Sequence, residues 1–156
     1  MKAVILNAFL DAAVRSLAQE TRAPVQRTGL LLDPTEQVTD ELIVYVALVG
    51  EARGMVLVGM PAVTARQVAT LMVGEPQPEL NEMGLSALAE LGNLIAGGAC
   101  VELDKLGLSS DITPPTVMIG RRSRITTLGL PRFVIPLTCV AGSLSIHVAV
   151  DVPHTF

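Results

Sequence analysis

Three residues of this chain have the types and spacing to do chemistry together. They lie in the stretch Glu82-Met-Gly-Leu-Ser86-Ala-Leu-Ala-Glu90-Leu-Gly-Asn93-Leu-Ile-Ala-Gly97. At about 100° per residue, a helix through this stretch turns Asn93 to within about 20° of Ser86, and Glu90 to about 60° from Asn93. One face then carries all three. An acid and a carboxamide three residues apart on a rigid element can enter a partner's cleft together. The carboxamide donates and accepts without carrying charge, whereas the carboxylate only accepts. A solvated helix face can show the same residue types, so the glycines around the face matter. Gly92, Gly97 and Gly98 each cost a helix about 1 kcal/mol relative to Ala. Gly97 lies about 40° from Asn93. Missing side chains there admit either another protein or a neighbouring element of the same chain.

A polar face needs a core side to hold it still. Leu88, Leu91 and Ile95 point away from Asn93 and supply one. The helix is expected from about Leu80 to Leu106, ended by Gly107. Upstream, Asn7, Asp11 and Arg15 recur every four residues, which predicts an amphipathic helix over about residues 2–20. Val25–Leu32, Leu42–Val49 and Gly54–Met60 read as strands, with Gly50-Glu-Ala-Arg-Gly54 as a hairpin turn. Pro61–Val73 reads as a short helix stopped by Gly74. After the long helix, Thr116–Ile119, Ser123–Leu130, Arg132–Val140 and Ser143–Val150 read as four more strands joined by short turns, which implies antiparallel pairing. The expected fold is a single α+β domain over residues 1–156. Its antiparallel sheet has about six or seven strands, with three helices packed on one face.

Composition excludes several function classes. Half of the 156 residues are apolar but only 3% are aromatic, and Trp is absent. The core is therefore aliphatic. The net charge of −4 gives no basic excess for nucleic acid. Cys100 and Cys139 are isolated and read as reduced, buried thiols. His147 and His154 have no ligand spacing, so no metal site is expected. There is no G-x-G-x-x-G and no P-loop, hence no nucleotide site. Asn7 and Asp11 interrupt the apolar run at the N-terminus, unlike a secretory leader. No uninterrupted run of 18 apolar residues occurs, the usual mark of a membrane span.

Ser86-x-x-x-Glu90-x-x-Asn93, followed by Asp111-Ile-Thr-Pro114-Pro115-Thr116, resembles the CheC/CheX/FliY family of bacterial chemotaxis phosphatases. Between Asn93 and Pro115 there are 21 residues, one fewer than the family's usual spacing. The string Leu85–Gly97 with the later Asp-Ile-Thr-Pro-Pro-Thr-Val is most similar to the CheX members, as is the single motif per chain. The first helix here has no second Glu-x-x-Asn.

The resemblance implies a specific activity. Family members bind a phosphorylated response regulator of the CheY type and accelerate hydrolysis of its aspartyl phosphate. The regulator supplies the acyl phosphate, its magnesium ion and a lysine, so no cofactor of the phosphatase's own is expected. Asn93 would position the attacking water and Glu90 would pair with the regulator's lysine. Ser86, Gly97 and Pro115 would belong to the partner-binding surface. Phosphoryl transfer of this loose type depends on positioning and electrostatics, so no nucleophilic Cys is required.

The reduced thiols point to a cytoplasmic protein, and the resemblance further implies a homodimer joined through its sheets. Two other readings of the polar face are a non-catalytic module that docks on a response regulator or flagellar switch component, and a contact between two copies of this chain. Arg121-Arg-Ser-Arg124, the only basic cluster, reads as a solvated hairpin tip, or else as a steering element toward an acidic partner.

Overall fold

A computed structural model describes residues 2–33, 37–38, 40–121, 123–127 and 129–154. Its elements run α1 (Ala3–Thr21), β1 (Gln26–Arg27), β2 (Leu31–Asp33), β3 (Gln37–Val38), β4 (Leu42–Gly50), β5 (Arg53–Met60), α2 (Ala62–Val73), α3 (Glu82–Lys105), β6 (Ser110–Ile112), β7 (Thr116–Ile119), β8 (Ser123–Arg124), β9 (Arg132–Cys139) and β10 (Gly142–Asp151).

Both long hairpins form where Gly-bearing turns separate runs rich in β-branched residues. β4 pairs β5 with Val44 opposite Val58, and β9 pairs β10 with Ile135 opposite Ile146. Gly50 and Gly54 both have positive φ, at 117° and 149°. A Cβ on Gly50 would stand 2.7 Å from the Ser109 carbonyl oxygen, so only glycine fits that turn. The Glu51 backbone N–H donates to that same carbonyl at 3.0 Å, and Ala52 N–H donates to Ser110 Oγ at 3.0 Å.

The sheet has eight strands in the order β1–β9–β10–β5–β4–β6. β2 shares an edge with β1, and β7 shares the other with β6. All of these pairings are antiparallel. The count exceeds the expected six or seven, and both edges explain why. The expected strand Val25–Leu32 is two short strands. Arg27 pairs with Leu137 but Leu31 pairs with Val134, so the edge carries one extra residue against β9. Pro136 lies at the break. Its carbonyl accepts from Thr28 N–H at 3.0 Å, but it has no N–H to return. The ladder slips there as a bulge.

β6 was not expected, because Ser110–Ile112 has no strand-like pattern. Its partner β4 defines it. The expected strand Ser123–Leu130 shortens to β8, which among the described residues pairs with β3 in a separate two-stranded ribbon.

All three helices pack on one face of the sheet, as expected. Alternate residues of the central strands, including Val44, Val56, Val58, Ile146 and Val148, join Phe9, Leu17, Val68, Leu88, Leu91 and Ile95 in one aliphatic core. Each fully buried Leu or Ile side chain contributes about 1.5–3 kcal/mol. The opposite face holds a smaller cluster of Ile43 and Leu57, flanked by Tyr45, Met55, Met118 and Ile125. By length and composition α3 alone among the described helices could cross a membrane. In the fold its apolar side is spent on the core, with Leu88, Leu91, Ile95 and Leu103 fully buried.

Candidate active site on the exposed face of α3

α3 is fixed at both ends and along one side. Asn81 Oδ1 accepts from Gly84 N–H at 2.9 Å, capping its N-terminus. At the other end Leu108 N–H donates to the Leu103 carbonyl and Gly107 N–H, at φ 81°, to that of Asp104. This is a Schellman closure that needs a left-handed residue. Along its length, Gly92 lies flush on β4: a Cβ there would stand 2.5 Å from Val44 Cγ1. Gly98 lies flush on α1, where a Cβ would meet Ala12 Cβ at 3.2 Å. Two of the three glycines around the polar face thus serve packing within the chain. The third does not: a Cβ on Gly97 would meet only Ile112 Cδ1, at 3.9 Å.

This arrangement turns Ser86 and Glu90 to solvent and leaves Asn93 half-buried. Glu90, Asn93 and Leu94 form one wall of an open groove of about 510 Å³. Ile112, Thr113, Pro114 and Pro115 form the other wall. A second bulge builds that wall. Leu48 pairs with Ile112 and Tyr45 with Thr116, so β4 advances three residues while the edge advances four. The extra residue falls in Thr113-Pro114-Pro115, where two consecutive residues lack the N–H needed to rejoin the ladder.

The two polar side chains on the helix wall are uncommitted. Among the described residues, neither the Glu90 nor the Asn93 side chain has a hydrogen-bond or ion-pair partner within the chain. Asp111, at the near end of the wall, accepts from Ile112 N–H at 2.8 Å. Burial, and then the Asp111 carboxylate, push the Cys100 thiol up from its ordinary value. A thiol shifted that way is a poor nucleophile. Among the described residues no three His, Cys, Asp or Glu side chains are grouped to hold a metal ion. The groove offers one uncharged amide, one carboxylate and an apolar proline wall, which suits positioning a partner's reactive group.

Of the residues singled out in the sequence, Glu90, Asn93 and Pro115 come together. Gly97 borders the groove through Ile112. Ser86 is exposed but does not line the groove; it lies two turns earlier on the helix, about 10 Å along the axis. Ile112, Thr113 and Pro114, in the Asp-Ile-Thr-Pro-Pro run that carries the family resemblance, complete the wall, and Leu94 is the wall residue that the sequence reading did not single out. Of the basic cluster, Arg121 is exposed beside a separate small pocket with Glu41, Leu80 and Ile119. Arg122 lies outside the described residues.

The chain and its fold are similar to known proteins. The family model for the chemotaxis phosphatase CheX matches residues 42–138. The CheY-P phosphatase CheX of Thermotoga maritima is 35% identical over 132 residues, covering 83% of this chain and 84% of that protein. The fold is similar to chemotaxis protein CheX from Vibrio vulnificus, with TM-score 0.85 and 21% identity over 96% of this chain and 100% of that one. It is also similar to the CheX-CheY-BeF3-Mg+2 complex from Borrelia burgdorferi, with TM-score 0.82 and 25% identity over 94% of this chain and 97% of that one. The model match spans more than half of the sequence, the Thermotoga relative aligns along most of it, and the chain belongs to the CheX family of chemotaxis phosphatases.

Proposed function

We propose that this protein binds the phosphorylated form of a CheY-type response regulator and accelerates hydrolysis of its aspartyl phosphate in the cytoplasm. The observation that carries the reading is the groove itself: on a rigid helix, an amide and a carboxylate without partners among the described residues face a proline wall. The family match and the Thermotoga relative's CheY-P phosphatase activity support it. So does the Borrelia relative, which was solved with CheY.

In this mechanism Asn93 enters beside the phosphoryl group. Its carbonyl accepts from a water while its NH2 donates, which holds the water in line for attack. The amide carries no charge to repel the phosphoryl oxygens. Glu90, exposed at the groove's rim, pairs with a lysine of the regulator and sets the register of the two proteins. Gly97 leaves room for the partner to approach, and Ser86 makes a peripheral contact. The protein needs no metal of its own, since the magnesium ion belongs to the regulator.

Self-association belongs to the same reading. Leu30, Leu31 and Leu32 are exposed in and beside the edge strand β2. An apolar edge of this kind is normally covered, here by a second copy.

The test is phosphate release from a phosphorylated receiver domain, with wild type and Asn93→Ala compared. Wild-type acceleration that Asn93→Ala abolishes supports the reading. Binding without acceleration by the wild type makes the protein a docking module instead.

A further inference from the structure

The groove wall contains a hydrogen bond that no strand ladder would predict. After Ile112 the edge strand should continue along β4 with backbone bonds on both sides. Thr113 begins that pairing, its N–H donating to the Ala47 carbonyl at 3.0 Å. The return bond is different. Ala47 N–H donates to Thr113 Oγ1 at 3.1 Å, so a hydroxyl stands where a ladder carbonyl would. The backbone is thereby released from β4 one residue early. Pro114 and Pro115 follow, neither able to donate. Pairing resumes only at Thr116, opposite Tyr45. The released backbone carries the prolines to the wall facing Asn93.

We infer that Thr113 is a positioning residue: its hydroxyl satisfies Ala47 N–H so that the bulge can hold Pro114 and Pro115 at a fixed distance from Asn93. The inference rests on the phosphatase reading of the groove and adds to it the element that sets the groove's width. Ala47 is half-buried on β4, next to the edge formed by β6 and β7, so losing the hydroxyl leaves a partly buried N–H without its partner. The backbone's remedy is to draw the loop back toward β4 in a ladder register, which moves the proline wall away from Asn93. A misplacement of this kind acts on the transition-state geometry more than on docking, because Glu90 and the exposed face of α3 stay where they are.

The experiment compares Thr113→Val, which keeps the shape and removes the hydroxyl, with Thr113→Ser, which keeps the hydroxyl. Decay of a phosphorylated regulator is followed over a range of regulator concentrations. Amide exchange of Ala47 is measured on the same proteins. Thr113→Val is expected to lower kcat roughly 10- to 100-fold with KM nearly unchanged, as a small misplacement remote from the reacting atoms does. Its Ala47 amide should lose protection. Thr113→Ser should restore both. If Thr113→Val does not fold, Thr113→Ala removes the same hydroxyl without adding a methyl against β4 and carries the same expectation. Wild-type kcat in a folded variant that lacks the hydroxyl overturns the inference, as does a loss confined to KM. Asn93→Ala serves as the control: if it turns over normally, the phosphatase reading has failed, while Ala47 exchange still reports whether Thr113 holds the bulge.

Discussion

Gly92 and Val44 touch so closely that a Cβ on the glycine would stand 2.5 Å from Val44 Cγ1. This contact fixes how α3 is rolled on the sheet, and the very next residue is Asn93. Gly92→Ala therefore has two opposed effects. It gains about 1 kcal/mol of helix propensity, and it forces a methyl into a filled space at a cost of about 1–3 kcal/mol. The overpacking is expected to win, lowering Tm and, by rolling α3, lowering turnover. Val44→Ala in the same chain should restore turnover by making room. Thermal unfolding and phosphoregulator decay check this. An active Gly92→Ala with unchanged Tm would remove the contact from any role in placing Asn93.

Gly97 makes the contrasting case. It is on the same helix with only Ile112 Cδ1 near, at 3.9 Å from a built Cβ. Gly97→Leu should leave the fold intact, because the side chain projects into open space beside the groove. It should block docking of the regulator for the same reason. Titration against phosphorylated regulator, with circular dichroism to confirm folding, tests it. Unchanged affinity would mean that the partner does not approach over this face.

These two glycines show where sequence reasoning reached its limit. The helix wheel placed Glu90 and Asn93 on one face and Leu88, Leu91 and Ile95 on the other, and the structure agrees. Period and turn residues are local properties, so the three helices and the β4–β5 and β9–β10 hairpins were legible. Whether a glycine serves intrachain packing or a partner is decided by what lies opposite. For Gly92 that is Val44, and for Gly98 it is Ala12. The sheet edges failed for the same reason. β6 exists because β4 pairs with it, and the break between β1 and β2 is set by Pro136, far along the chain. Thr113 meets its partner across 66 residues. The motif residues themselves were legible because a family pattern carries them, while Ser86 shows that sharing a helix face does not place a residue in the groove.

On the far face of the sheet, Asp40 is half-buried, and that burial raises its carboxyl above the ordinary value of 3.8. Its Oδ2 lies 3.9 Å from His147 Nε2. A charged imidazolium would pull the carboxyl down, so burial dominates. The folded state then holds the Asp40 proton more tightly than the unfolded chain. Below the ordinary value both states are protonated and nothing is lost. As pH rises through that value toward the folded one, the unfolded state ionises first and stability falls, and the loss persists above it. Asp40→Asn removes the loss. Its advantage in urea midpoint over wild type should be larger at neutral pH than at or below the ordinary carboxyl value of 3.8. A variant less stable than wild type at neutral pH would mean that the pair with His147 outweighs burial.

The β2 edge makes a prediction about assembly. Leu31 and Leu32 are 58% and 60% exposed on an edge strand, where exposed apolar residues invite pairing with another chain. Leu31→Lys places a charge where a second copy would pack and should convert a dimer to monomers without loss of fold. Sedimentation velocity of the two proteins measures it. A wild-type monomer, or a variant that still dimerises, would assign the contact elsewhere.

The last prediction separates the two residues of the motif. Asn93→Ala removes the group that orients water, an interaction made chiefly in the transition state. Turnover should fall by roughly 10²-fold or more while binding is largely kept. Glu90→Ala removes a docking ion pair and leaves the partner's lysine unmatched. It should weaken binding first, by about 2–5 kcal/mol if the pair is well buried in the complex and less at a wet rim. Asn93→Asp keeps the shape but exchanges an NH2 donor for negative charge beside a phosphoryl group, so it should fail nearly as badly as Ala. Because Asn93 has no partner among the described residues, none of these losses should come with unfolding. Phosphoregulator decay at saturating and subsaturating enzyme distinguishes the three. Folded Asn93→Ala acting at the wild-type rate would show that the amide is not the group that positions water, and the chemistry of the groove would then have to come from Glu90 alone.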